Sequence, residues 1–221
     1  MTGKLVLVRH GQTFANVDKR LDTLPPGAAL TDLGHEQATR FGKSIAATPP
    51  SVLVSSVALR ARQTAEHIAV ATAVLAQERD GLQETFVGDW EDRSDEEAHA
   101  GFTAVYGKWQ SGDLDAHAPG GESGRAILDR YVPVLDELRA EFLTARDVAD
   151  VVVVSHGAAI RLVAAVLGGV DGEFAADNHL DNTETVELVP TADGGWTCVR
   201  WGTFEPPFEG KGSRVADNPI S

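Results

Sequence analysis

Residues 151–167, VVVVSHGAAIRLVAAVL, constrain the fold more than any other stretch of the chain. Four consecutive valines show no apolar/polar alternation, which suits a strand buried on both faces, and β-branched side chains favour the extended backbone. After Ser155 and His156, residues 157–167 read as a helix. A strand covered on both sides belongs to a sheet between two helical layers. The N-terminal region repeats the device: residues 5–11, LVLVRHG, run apolar to Val8 and then break into Arg9, His10 and Gly11.

The rest of the chain extends this alternation. Residues 31–47 have helical spacing, with Leu33, Ala38, Phe41 and Ile45 on one side and Thr31 or Asp32 as the cap. Pro49 and Pro50 close that segment. Residues 52–54 read as a second strand, 58–76 as a helix and 82–86 as a third strand. Helices follow over 94–109 and 125–145, separated by a Gly/Asp/Pro-rich loop at 112–121. Residues 183–189 and 196–201 read as a late hairpin around residues 192–195. The tail after Pro206 shows little pattern. The reading is one α/β domain over 1–221: a three-layer sandwich with a mostly parallel central sheet, and a helical and loop cap inserted at 89–121.

Composition narrows the function classes. The formal net charge of −14 argues against nucleic acid or an anionic membrane as the main partner. The 17-residue apolar stretch is broken by Ser155, His156 and Arg161, so no membrane span is expected. The only cysteine, Cys198, excludes an internal disulfide and a multi-cysteine zinc site. A cytoplasmic protein acting on a small molecule is expected, with a homo-oligomer left open. "GKS" at 42–44 lacks the glycine of a phosphate-binding loop five residues earlier, where Gln37 stands, and "EDRSDEE" at 91–97 lacks calcium-loop spacing.

In open α/β sheets ligands bind beyond the carboxyl ends of the strands. Here those ends carry Arg9-His10-Gly11, Ser155-His156-Gly157, and Ser55-Ser56 followed by Arg60 and Arg62. Two histidines and several arginines on one rim suit an anion, because guanidinium groups clamp phosphate oxygens in pairs. Gly11 and Gly157 permit close backbone approach, and the amides opening helix 157–167 offer a further anion site. A neutral imidazole can attack phosphorus. Glu84, in LQETFVGDWED at the end of the third expected strand, can serve as acid and then base.

These segments resemble the histidine phosphatase superfamily, the phosphoglycerate-mutase-like phosphatases and mutases, over residues 5–189. RHGQTFAN resembles its signature loop, which implies His10 as nucleophile with Arg9 and Asn16 as phosphate ligands. SSVALRARQTA resembles its second block and selects Arg60. LQETFVGDWE resembles the block that carries the acid, Glu84. VVVVSHGAAIR resembles the last, with His156 and the Gly157 amide facing the phosphate. PGGES at 119–123 resembles a loop of phosphatase members. The resemblance implies no metal or organic cofactor. The departures are Val57-Ala58, Asp92, and RLDTLPPGAALTDLG, which leaves a phosphate contact from Thr23 without support.

The expected activity is a phosphomonoester phosphatase working through a phosphohistidine. The rivals are a phosphoglycerate mutase and a non-catalytic phospholigand-binding protein on the same fold. Against the mutase, 89–121 holds one arginine, Arg93, and one lysine, Lys108. Against the binder stand His10, Glu84 and His156. Ser123 and Glu122 have a plain alternative as caps of the following helix, and Arg20 and Arg161 as surface or packing charges. Phe102, Tyr106 and Trp109 suggest a cap surface that meets an apolar leaving group.

Overall fold

The structure, a computed structural model, describes residues 3–144 and 148–208. Its centre is a six-stranded sheet: β1 (Leu5–Arg9), β2 (Val52–Ser56), β3 (Ala76–Arg79), β4 (Val151–Ser155), β5 (Thr185–Pro190) and β6 (Trp196–Trp201), in spatial order β3-β2-β4-β1-β5-β6. β1 to β4 run parallel, β5 is antiparallel to β1, and β6 closes the expected hairpin with β5.

Every residue of β1, β2 and β4 is buried. Their side chains alternate between two apolar clusters. Leu5, Leu7, Val52, Val54, Val151 and Val153 join the larger one, with α4 (Glu96–Gln110), α5 (Gly124–Phe142) and α6 (Gly157–Gly168). Val6, Val8, Leu53, Val152 and Val154 face the other way, onto α3 (Leu59–Thr72) and Phe41 and Ile45 of α2 (Asp32–Ile45). Each fully buried valine contributes roughly 1.5–3 kcal/mol of transfer free energy, so the two-sided burial dominates the stability of this sheet.

The third strand lies elsewhere than the sequence pattern placed it. Helix α3 stops at Thr72, where Ala73 takes the left-handed conformation at φ 60°, and the chain then forms β3 at residues 76–79. AQER is polar because β3 is an edge strand, paired only with β2. Residues 82–86 are a loop. Leu82 fills the core, and the Arg130 guanidinium takes the carbonyls of Gly81, Gln83 and Glu84 at 2.8–2.9 Å. Those carbonyls thus find a partner without a strand ladder. Helices α1 (Phe14–Val17) and α7 (Gly172–Asp177) complete the chain; neither had a sequence signal. The helix expected over 125–145 ends at Phe142 with Leu143 as its cap, and most of the tail lies outside the described residues.

Phe102, Tyr106 and Trp109 are 0–4% exposed. Trp109 meets both Phe102 and Tyr106 edge to face, and Phe102 and Tyr106 are tilted against each other, all within the larger cluster. They are core residues, and the expectation that they present an apolar surface to a ligand is corrected accordingly.

Candidate active site

The parallel pairing of β1 with β4 sets Arg9 opposite Ser155, so the next residues, His10 and His156, leave the sheet side by side. Their ring centroids are 5.3 Å apart. His10 Nδ1 lies 2.8 Å from the Gly11 carbonyl, which can only accept, so Nδ1 carries the proton and Nε2 keeps its lone pair. That lone pair receives Arg60 Nε–H at 3.1 Å. The same Nε–H points at His156 Nδ1, 3.2 Å away. His156 Nε2 is 2.9 Å from Ser56 Oγ, and with Nδ1 accepting, Nε2 is its donor.

Arg60 opens the first turn of α3 and is 2% exposed. Its Nη1 sits 3.4 Å from Asp22 Oδ2, and the backbone amide of Ala28 also donates to that oxygen, at 2.8 Å. Arg62 lies on the surface near Glu78, so of the two arginines only Arg60 reaches the rim. Arg9 is buried at the end of β1 and donates to the Leu180 carbonyl at 2.7 Å. Asn16 and Thr13 form a reciprocal cap on α1.

Glu84 is 3% exposed and lies off the end of no strand. Its Oε1 accepts from the amides of Thr85 (2.8 Å) and Ala159 (2.9 Å), and Oε2 from Ala158 (3.1 Å). The opening amides of α6 were expected to offer an anion site; the anion held by the Ala158 and Ala159 amides is the Glu84 carboxylate itself. Gly11 also differs from expectation. Its amide donates to Thr64 Oγ1 at 3.0 Å, and a Cβ on it would lie 2.6 Å from the Gly34 carbonyl oxygen. Contact with α2 demands this glycine, whatever a ligand does.

Burial, then the charges of Arg60 and Arg9, hold His10 well below the usual histidine range. Burial and then Arg60 do the same to His156. Burial pushes Glu84 above the usual carboxylate range, against its amide bonds and the Arg60 charge. Arg9 is pushed down to about 10, chiefly by burial. The imidazoles are therefore neutral at neutral pH, the guanidiniums charged, and the carboxyl poised to keep a proton in mild acid.

The space between these groups is a cavity of about 10 Å³ lined by His10, Thr13, Ala15, Asn16, Arg20, Asp22, Arg60 and Glu84. His10, Asn16, Arg60 and Glu84 were all expected here. Ser56 had been placed on the rim as the end of its strand; Asp22, Thr64 and Asn182 were not expected, and Asn182 Nδ2 donates to the His10 carbonyl at 3.0 Å. Asp22 stood in the segment that departs from the family pattern, and that departure was its only signal. The others are ordinary loop or helix polar residues with no signal of their own. Ser123 caps α5, as the plain alternative had it; Glu122 does not cap that helix but pairs with Arg130 and accepts from the Phe86 amide. Arg20 lines the cavity while paired to Asp92 and Asp18. Arg161 is buried, its guanidinium 4.4 Å over the Tyr106 ring.

A buried neutral imidazole beside a guanidinium, at the carboxyl end of a parallel sheet covered on both faces, suits an anionic group. The family model of the histidine phosphatase superfamily (branch 1) matches residues 5–203, and the chain belongs to that family. It is 33% identical to glucosyl-3-phosphoglycerate phosphatase of Mycolicibacterium vanbaalenii over 90% of this chain and 91% of that protein. It is 34% identical to a 2,3-bisphosphoglycerate-dependent phosphoglycerate mutase of a Chelativorans species, over 78% of this chain and 85% of the mutase. A mycobacterial glucosyl-3-phosphoglycerate phosphatase solved with VO3 superposes with a TM-score of 0.79 at 27% identity, covering 90% of this chain and 98% of that one.

Proposed function

We propose that the protein is a phosphomonoester phosphatase that acts on a small phosphorylated metabolite through a phosphohistidine. The observation that carries this reading is the His10 tautomer: Nδ1–H is tied to the Gly11 carbonyl, so the Nε2 lone pair faces the Arg60 guanidinium, where a phosphoryl group would be held. Arg60 and Arg9, with Asn16, His156 and the Gly157 amide, neutralise and orient that group. His10 Nε2 attacks phosphorus in line, and the phosphorus–oxygen ester bond breaks. Glu84 gives its proton to the departing oxygen; Oε2 carries one amide bond against two on Oε1, which leaves room for that proton. Water then attacks phosphorus while Glu84 takes its proton, the phosphorus–nitrogen bond breaks, and His10 recovers its lone pair. Positioning and charge neutralisation supply most of the rate in such transfers.

The relatives support hydrolysis of a phosphoester, and one of their solved structures holds VO3. Transfer back to a bound phosphoglycerate has less support: in 89–121 the guanidinium of Arg93 is spent on Asp95 and Glu97. We further propose a single domain in which 89–121 caps the site, through Glu91 on Thr23 and Asp92 on Arg20. The cytoplasm is the proposed setting, with neither nucleic acid nor membrane as partner. Among the described residues no helix is long and apolar enough to cross a membrane.

The test is His10→Ala assayed on an aryl phosphate. Loss of at least about 10³-fold in kcat, with inorganic phosphate as the wild-type product, is expected for a missing covalent nucleophile. Wild-type turnover by the variant would remove the mechanism.

A further inference from the structure

A second cleft, of about 280 Å³, opens on the other side of Glu84. Glu84 lines both spaces, and Asp22 of the inner cavity precedes Thr23 of the outer cleft. If the phosphatase reading holds, phosphorus sits at His10, and the ester oxygen must sit at Glu84 to take its proton. The rest of the leaving group then extends into this cleft. Its size is at the low end for small-molecule pockets, which begin near roughly 300 Å³.

The charges around that path oppose an anion. Among the described residues lining the two spaces, the cations are Arg20, Arg60 and Arg130. Arg60 belongs to the phosphoryl site. Arg130 has its Nε and Nη2 on Glu122, and its remaining bonds go to the carbonyls of Gly81, Gln83 and Glu84. Arg20 is matched by Asp18 and Asp92. Against them stand Asp22, Asp80, Glu84 and Glu122 on the same walls, with Glu91 behind Thr23 and Leu24. Asp80 is exposed, and among the described residues no guanidinium or ammonium pairs with it; the Gln83 side-chain amide donates to it. A carboxylate entering here would lose water and gain no free cation, which costs far more than burying a hydroxyl. Hydroxyls, in contrast, find an acceptor in the Asp80 carboxylate.

We infer, resting on the phosphatase reading, that this cleft receives the leaving group, that its ligand is an uncharged, hydroxyl-bearing alcohol, and that it discriminates against one bearing a carboxylate. This separates the chain from relatives whose names specify phosphoglycerate compounds.

A matched pair tests it: glycerol 3-phosphate and 3-phosphoglycerate differ only in a CH₂OH replaced by a carboxylate. Both are run as substrates and as competitors of aryl phosphate hydrolysis, so each yields a number even if turnover is slow. At least a tenfold advantage for glycerol 3-phosphate, in kcat/KM or in the inhibition constant, is expected. In Asp80→Lys, at an exposed position on the cleft wall, that ratio should fall at least threefold. Equal values, a preference for 3-phosphoglycerate, no competition by either, or an unchanged ratio in Asp80→Lys overturns the inference while aryl phosphate turnover leaves the phosphatase reading standing. No turnover of the aryl phosphate removes the phosphatase reading and the inference with it.

Discussion

At the scale of single residues, the proposed mechanism depends on opposed shifts of two groups. His10 must be neutral to attack, and burial beside Arg60 and Arg9 keeps it neutral down to well below its ordinary range. Glu84 must carry a proton in the same step, and burial moves its titration up. The rate should therefore rise with pH as His10 loses its proton and fall as Glu84 loses its own. The expected kcat/KM profile is a bell with its optimum on the acid side of neutrality. In Glu84→Gln the descending limb should disappear, and poor leaving groups should lose more rate than aryl phosphates. A profile of Glu84→Gln that keeps the wild-type alkaline limb would remove Glu84 as the acid. His10 and His156 could be read from the sequence because they follow apolar strands, where a charged or polar residue is conspicuous, whereas Glu84 was placed through a strand at 82–86 that the structure does not form. Asp22 and Asn182 could not, since each is a polar loop residue among many. Only the folded chain brings Asp22 to Arg60 and Asn182 to the His10 carbonyl.

Among elements, the seam between α2 and α3 positions the loop that carries His10. A Cβ on Gly34 would sit 2.1 Å from the Gln12 carbonyl oxygen, a backbone atom one residue from Gly11. Gly34→Ala should cost about 1–3 kcal/mol by overpacking, seen as a Tm several degrees lower, and should reduce kcat by displacing His10. Farther along the seam His35 Nδ1 and His67 Nε2 lie 2.8 Å apart, and His67 Nδ1 bonds Thr39 Oγ1 at 2.9 Å. Burial and then His35 lower the His67 titration below its ordinary value. The unfolded chain therefore takes up the proton first, so the stability from this group is full above the unfolded value of about 6.5 and fades as pH falls through the folded one. Between about pH 7 and pH 5, denaturation midpoints of His67→Gln should fall less steeply than those of the wild type. Parallel slopes would assign the acid sensitivity elsewhere. The same scale shows why one strand was misplaced. β1, β2 and β4 announce themselves because burial on both faces demands an unbroken apolar run. β3 has one partner and open water, so AQER resembles a helix end. Leu82, Glu84 and Phe86 mimic strand alternation, but Arg130, 44 to 48 positions on, is what satisfies their loop.

For the whole molecule, the parallel β1–β4 pairing joins residues 146 positions apart, and the helices fold against both faces of the result. The overall architecture was legible because it follows from hydrophobic patterning. The outer cleft was not, because it is formed where three loops converge and no local pattern encodes a shared wall.

The clustering of Arg60, Arg9 and two imidazoles has a consequence for the folded state as a thermodynamic whole. Burial lowers Arg9 most, and the Arg161 and Arg60 charges lower it further against the opposing carboxylates of Glu84 and Asp181. A folded protein that concentrates guanidinium groups at one site gains free energy from any tetrahedral oxyanion bound there, and the unfolded chain gains none. Inorganic phosphate at about 100 times its dissociation constant should add about 2.7 kcal/mol, a Tm rise of roughly 5–10 °C for a chain of this size. Chloride at equal ionic strength should give a much smaller change, and Arg60→Ala should abolish most of the phosphate effect. Because phosphate is also the proposed product, the solution that best protects this fold against heat is one in which product inhibition is strongest.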